Sequence, residues 1–136
     1  MPELPEVEVT RRGLLSDLPG RLITAVRCGR LRLRAPLPAA LLRTHIAGQR
    51  ITTIDRRAKY LLFRMASGAV LVAHLGMTGK FGVMTADAPL HKHDHLVLVL
   101  DNGLEVRYND SRRFGSIVVW PAGRARELEG EFSARE

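Results

Sequence analysis

Cysteine is nearly missing: Cys28 is the single one in the chain. One thiol excludes an internal disulfide and any cluster of thiolates around a metal. It fits a reducing compartment, the cytoplasm, with Cys28 as a small buried filler. No apolar run approaches the length of a membrane-crossing helix, and the start lacks the basic-then-apolar order of a signal peptide, so no membrane contact is expected. Internal repeats and low-complexity tracts are absent. Lysine is scarce as well, confined to Lys59, Lys80 and Lys92.

What the chain does have is arginine. Of 21 basic residues 18 are arginine, the formal charge is +7 and the pI is about 10.7. Guanidinium forks suit phosphates and base edges, and such a balance favours a polyanionic partner, nucleic acid first. A general preference for Arg and Ala accounts for the share equally well, so charge alone names no function. At 136 residues and 46% hydrophobic, the chain is long enough for one domain with a single real core.

The pattern predicts α+β, mainly β: a two-layer β-sandwich flanked by an N-terminal helix and a second short helix. Pro5 suits a first helical turn, Glu6 and Glu8 suit its positive end, and Leu4, Val7, Leu14, Leu15 and Leu18 share a face before Pro19-Gly20 stops the run. Strands are expected over Leu22–Cys28, Leu31–Arg34, Ile51–Asp55, Tyr60–Met65, Ala69–His74, His95–Leu100, Leu104–Tyr108 and Phe114–Trp120. The second helix runs over Pro38–Ala47. Ser67-Gly68 and Asp101-Asn102-Gly103 read as tight turns. After Pro121 the stretch AGRARELEGEFSARE is polar, more like the start of a linker than the end of a core.

Several short stretches carry chemistry. With Met1 removed, Pro2 offers a secondary amine able to attack an electrophilic carbon and form an iminium. An α-amino group near pKa 8 is roughly a tenth neutral at pH 7, against less than about a thousandth for lysine. Glu3 can then act as acid or base and Glu6 can orient the pair. The same residues also make an ordinary helix start. In RRAKYLLF, the turn with Arg56, Arg57 and Lys59 can grip phosphate or simply be a solvated turn. In HLGMTGKFG, glycines 76 and 79 expose Met77, either a wedge between bases or a residue folded back on the core. HKHDH puts His91, His93 and His95 at alternate positions, which on a strand share a face. Phosphate contact suits them better than metal, for no cysteine completes a zinc set. NDSRRFGS places Arg112, Arg113 and Phe114 in a turn suited to hydrogen bonding and stacking with nucleic acid.

In this order, MPELPEVEVTRRGL, RRAKYLLF, HLGMTG, KHDH and SRRFG resemble the successive motifs of bacterial formamidopyrimidine-DNA glycosylase, from Pro2 to about Trp120. The PELPE opening is closer to that branch than to the related endonuclease VIII branch, which prefers oxidised pyrimidines. The resemblance implies a base-excision repair glycosylase and abasic-site lyase. Its partner is double-stranded DNA bearing 8-oxoguanine, formamidopyrimidines or abasic sites, and such proteins are usually monomeric. Pro2 matches the residue that attacks C1′ and forms a Schiff base, Glu3 the acid at the sugar ring oxygen, and Glu6 a supporting carboxylate. Lys59 matches the lysine of proton transfer in strand cleavage by β,δ-elimination. His93 and Arg112 match DNA contacts, and Met77, Arg112 and Phe114 match the group that fills the gap left by the everted base. Ser111 departs from the proline often found there.

On this reading residues 1–121 are the N-terminal catalytic domain and 122–136 begin an interdomain linker. The family continues with a helix–two-turn–helix region and a four-cysteine finger holding one zinc ion. Neither occurs in these 136 residues, so no cofactor is expected in this piece and little activity from it alone. Other readings are a nonspecific DNA-binding module, or a basic β-domain for RNA or protein.

Overall fold

Proline in a first helical turn costs no hydrogen bond, because the first amides of a helix have no partner anyway. In the computed structural model, which describes residues 4–29, 33 and 36–135, helix α1 accordingly spans Leu4–Leu15 with Pro5 in its first turn. Val7, Leu14 and Leu18 are buried, as the apolar face predicts, and Leu15 is partly so. A second helix, α2, covers Ala39–His45 and buries Leu42 and, just beyond it, Ile46.

Among the described residues there are eight strands: β1 Ile23–Cys28, β2 Ile51–Arg57, β3 Tyr60–Met65, β4 Val70–His74, β5 Lys80–Thr85, β6 Asp94–Leu100, β7 Leu104–Asn109 and β8 Ser116–Trp120. They form two antiparallel four-stranded sheets, ordered β1-β6-β7-β5 and β2-β3-β4-β8. Between the sheets lie Leu61, Phe63, Met65, Leu71, Ala73, Ile117 and Val119 from one side and Ile23, Leu96, Leu98, Leu100, Val106 and Tyr108 from the other. Each such aliphatic side chain removed from water contributes about 1.5–3 kcal/mol. The expected sandwich is the one observed.

The DNG turn closes β6 to β7 with Gly103 at φ 83°, as expected for a tight hairpin. Strand β5 has no counterpart in the sequence reading, since Gly79 and Gly82 interrupt its pattern. The strand expected over Leu31–Arg34 lies outside the described residues except for Leu33, which is buried in irregular backbone. The polar stretch after Pro121 is a 3-10 turn over Ala122–Arg124 followed by helix α3, Ala125–Arg135. It is docked on the outer face of the second sheet, where Leu128 is buried against Leu62, Val70 and Val72, with Tyr60 and Trp120 at the margin. Beside Leu128, Glu129 of the helix pairs with Arg57 and Arg64 of the sheet.

The register places the loops. Tyr60 lies opposite His74, and His74 opposite Ser116. In the other sheet Asn109 faces both Lys80 and Asp94. The β2–β3 turn, the β4–β5 loop, the turn before β6 and the loop before β8 therefore gather at one end of the sandwich.

Candidate active site

An aspartate buried without a cationic partner must be satisfied by hydrogen bonds, and Asp110 is. It is 0% exposed. Its Oδ1 accepts from the Thr78 hydroxyl at 2.7 Å and the Arg113 N–H at 3.0 Å, while Oδ2 accepts from the Tyr108 hydroxyl at 2.9 Å and the Gly115 N–H at 2.8 Å. Its own N–H donates to the His93 carbonyl at 3.1 Å, and its carbonyl accepts from His95 Nε2 at 2.7 Å. One residue thus ties HLGMTG, KHDH and SRRFG together. Burial pushes the Asp110 carboxyl up, but the bonds from Thr78, Gly115, Tyr108 and Arg113 outweigh that and hold it below its ordinary value. Burial, with the carboxylate beside it, raises the Tyr108 hydroxyl well above its usual range.

Glycines let the loops touch. Gly76, at φ 64°, lies so close to the next loop that a Cβ there would stand 2.6 Å from the Gly115 nitrogen. A Cβ on Gly115 would stand 1.8 Å from the Tyr108 hydroxyl oxygen. On this base the side chains of Met77 and Phe114 are 44% and 48% exposed, and Arg112 is exposed beside them. The Arg112 amide donates to Thr78 Oγ1 at 3.1 Å, and its Nη1 lies 3.7 Å from Met77 Sδ. Arg113 is exposed in a left-handed conformation at φ 61°. A fixed floor carrying exposed apolar and cationic side chains is what insertion into a base stack requires.

The three histidines do not share a strand face. The Asp94 carboxylate accepts from the His91 N–H at 2.8 Å and curls HKHD into a turn, so β6 begins only at Asp94. His91 is exposed, His93 half-buried and His95 fully buried. The bond to the Asp110 carbonyl requires the proton of His95 on Nε2. Among the described residues no group of three or more His, Cys, Asp or Glu could hold a metal. Cys28 is exposed rather than buried filler; partial burial is still enough to raise its thiol.

Lys59 follows Ala58 in the two-residue turn between β2 and β3, and Ala58 adopts φ 51°. Arg56 and Arg57, expected as phosphate grips, are engaged by carboxylates: Arg56 with Glu8, and Arg57 with Glu129 of α3. His74, unremarked in the sequence, lies beside this turn. Its ring meets Tyr60 edge-on at 4.9 Å, and its Nδ1 accepts from the Gly76 N–H at 3.1 Å. Burial first and the Lys59 ammonium second hold His74 below its ordinary value, so it is neutral at pH 7. Lys59 and the Met77 loop are therefore neighbours across one histidine.

Helix α1 reaches the same end. Glu8 bonds Arg56, and one turn later Arg11 donates to the Ile54 carbonyl at 2.8 Å, so the helix runs back along β2 from the Lys59 turn. Its first residues, with Glu6 exposed, lie nearest that turn. Pro2 and Glu3 lie outside the described residues. No helix among the described residues is long and apolar enough to cross a membrane.

Fold and loops together define a two-sheet antiparallel domain whose loops are tied together at one end by Asp110. Comparison with known proteins then gives its family. The model of the formamidopyrimidine-DNA glycosylase N-terminal domain matches residues 1–117. The formamidopyrimidine-DNA glycosylase of Stenotrophomonas maltophilia (strain R551-3) is 50% identical over 128 residues, 94% of this chain and 47% of that protein. That of Thioalkalivibrio sulfidiphilus (strain HL-EbGR7) is 49% identical over 125 residues, 92% of this chain and 45% of the relative. The Lactococcus lactis formamidopyrimidine DNA glycosylase, solved non-covalently bound to DNA containing an AP site, superposes with a TM-score of 0.84. It is 32% identical, with 96% of this chain and 49% of that one covered. The chain belongs to the formamidopyrimidine-DNA glycosylase family. It spans about half the length of the curated relatives it matches.

Proposed function

We propose that the chain is the nucleophile-bearing half of a base-excision repair glycosylase and abasic-site lyase acting on oxidised purines in double-stranded DNA. The observation that carries this reading is the exposed group of Met77, Arg112 and Phe114 held on the buried Asp110. Chemistry on a base within a duplex requires that base to leave the stack, and something must occupy the space it leaves. Met77 and Phe114 supply the apolar filling, and Arg112 offers a guanidinium to the orphaned partner base.

In this reading the freed nitrogen of Pro2 attacks C1′ of the everted nucleotide, and the base departs with the electron pair of the broken C1′–N bond and takes up the proton the nitrogen gives up. Glu3 protonates the sugar ring oxygen as the ring opens, and the nitrogen is left bonded to C1′ as an iminium. Glu6 supports the pair through its charge. Lys59 transfers protons during the β- and δ-eliminations that cut the strand. His93 and Arg113 contact the DNA around the lesion. The family's zinc finger belongs to its second half; the donors described in this chain do not fit a metal, and no step here passes through one. The charge of +7 is compatible with that partner, through nonspecific phosphate binding that salt weakens steeply.

The test is single-turnover excision by the full-length protein, freed of Met1, on a duplex with 8-oxoguanine opposite cytosine. Excision followed by strand cleavage, lost in protein that retains Met1, supports the reading. Salt-sensitive binding without excision reduces the protein to a DNA-binding module, and a preference for oxidised pyrimidines assigns it to the endonuclease VIII type.

A further inference from the structure

The proposed chemistry needs two elements far apart in sequence to act on one nucleotide: the start of α1 and the Lys59 turn. Arg56 joins them. Its Nε donates to Glu8 Oε1 on α1 at 3.0 Å, and its Nη1 donates to the carbonyl of Ala58 at 3.1 Å, the residue immediately before Lys59. Ala58 carries a Cβ in a left-handed conformation at φ 51°, which persists in an L-residue only where the surroundings impose it. The Arg56 fork is one such surrounding bond, closing the strained turn from inside the hairpin.

Glu8 is built to hold that fork still. Its Oε2 accepts from Arg11 Nη1 at 2.9 Å and from Arg12 Nε at 3.0 Å, leaving Oε1 for Arg56. The hydrogen bond from Arg56 leads the causes that hold Glu8 below its ordinary value, so the carboxylate is charged throughout the neutral range. Arg11 then anchors the same helix one turn on, through the Ile54 carbonyl. The helix is pinned to β2 at two levels, and the level nearer the turn passes through Arg56.

We propose that Arg56 is a positioning residue for the glycosylase reaction: through Glu8 and the Ala58 carbonyl it sets the start of α1 against Lys59. This rests on the proposed function, which assigns the chemistry to those two places. Nε and Nη1 of Arg56 are both engaged by protein oxygens, so this side of its guanidinium is committed to the fold. Displacement of about 1 Å between groups acting on one reacting centre can cost on the order of a hundredfold in rate.

The experiment uses full-length, Met-free protein carrying Arg56→Ala, Glu8→Ala, Glu8→Gln and the double Arg56→Ala/Glu8→Ala. Single-turnover excision and strand cleavage on the 8-oxoguanine duplex are measured beside duplex affinity at several salt concentrations and the fraction folded at the assay temperature. Arg56→Ala is expected to slow excision and strand cleavage each about 10- to 100-fold per folded molecule, with affinity changed less than about threefold. Glu8→Ala should cost at least as much, since it also frees Arg11 and Arg12, and the double variant should fall no further than Glu8→Ala, because both remove the Arg56–Glu8 link. Glu8→Gln keeps the acceptor oxygen and should recover most of the rate. The proposal is overturned by wild-type rates per folded molecule, by losses that multiply in the double variant, or by a loss lying wholly in salt-dependent affinity. Met1-retaining protein and Lys59→Ala are the controls that separate the two levels. If the first still excises and the second still cleaves the strand, the functional reading itself fails; if the first loses excision and the second loses strand cleavage while Arg56→Ala is normal in both, only the positioning role does.

Discussion

The Thr78 hydroxyl donates to the Asp110 carboxylate at 2.7 Å, a bond between residues 32 apart that joins the loop bearing Met77 to the loop bearing Arg112 and Phe114. The end of the domain we assign to the lesion is thus organised by a carboxylate that never faces solvent.

Asp110→Asn keeps the shape but turns one oxygen into a donor, facing either the Arg113 or the Gly115 N–H. We expect a loss of about 3 kcal/mol in urea unfolding at pH 7, the cost of a buried polar clash beside lost charge-assisted bonds. Because Asp110 is held below its ordinary value of 3.8, its stabilisation is complete above that value and disappears as pH falls through the folded one. The acid limb of the stability profile should accordingly flatten in Asp110→Asn.

Two glycine-to-alanine changes should move in opposite directions. At Gly115 the new methyl would meet the Tyr108 oxygen at 1.8 Å and the His74 carbonyl at 2.7 Å, and a loss of about 3 kcal/mol or more is expected. At Gly13, within α1, nothing lies within 4 Å, and alanine should stabilise by about 1 kcal/mol through helix propensity. Thermal unfolding of both variants checks the pair.

Met77→Ala separates function from folding. The side chain is 44% exposed, so unfolding should stay within about 0.5 kcal/mol of wild type. Excision by the full-length protein should fall about tenfold, equivalent to about 1.4 kcal/mol of transition-state stabilisation. Single-turnover kinetics beside urea unfolding reads both quantities.

Leu128→Ala should release α3 from the outer sheet face. Leu128 is 2% exposed in a small cluster, which places the cost at about 2 kcal/mol. Hydrogen exchange should show α3 amides losing protection while the strand amides of β3 and β4 keep theirs.

Much of this was legible in the chain. Strand alternation, the DNG hairpin, the Pro-Gly stop and the ordered motifs yield the sandwich and its family. Asp110 was not, although an Asn-Asp-Ser run after a strand is a turn signal. Its partners Thr78, Tyr108 and Gly115 become partners only once two sheets bring them together. His91, His93 and His95 read as a strand face because the Asp94 side-chain bond that curls them is invisible to periodicity. Strand β5 is masked by its glycines and completed by pairing with β7. Helix α3 is seated by Leu128 on the sheet and by Glu129 on Arg57 and Arg64, partners far back in the chain that no local pattern reveals.

The central claim, that the Pro2 nitrogen bonds to C1′, is tested most directly by locating the adduct. Full-length, Met-free protein is reacted with the lesion duplex under borohydride, digested, and its peptides weighed. The account predicts the sugar remnant on the amino-terminal peptide at Pro2, and none in protein that retains Met1. A remnant on Lys59 or another lysine, or equal trapping with Met1 in place, would contradict it.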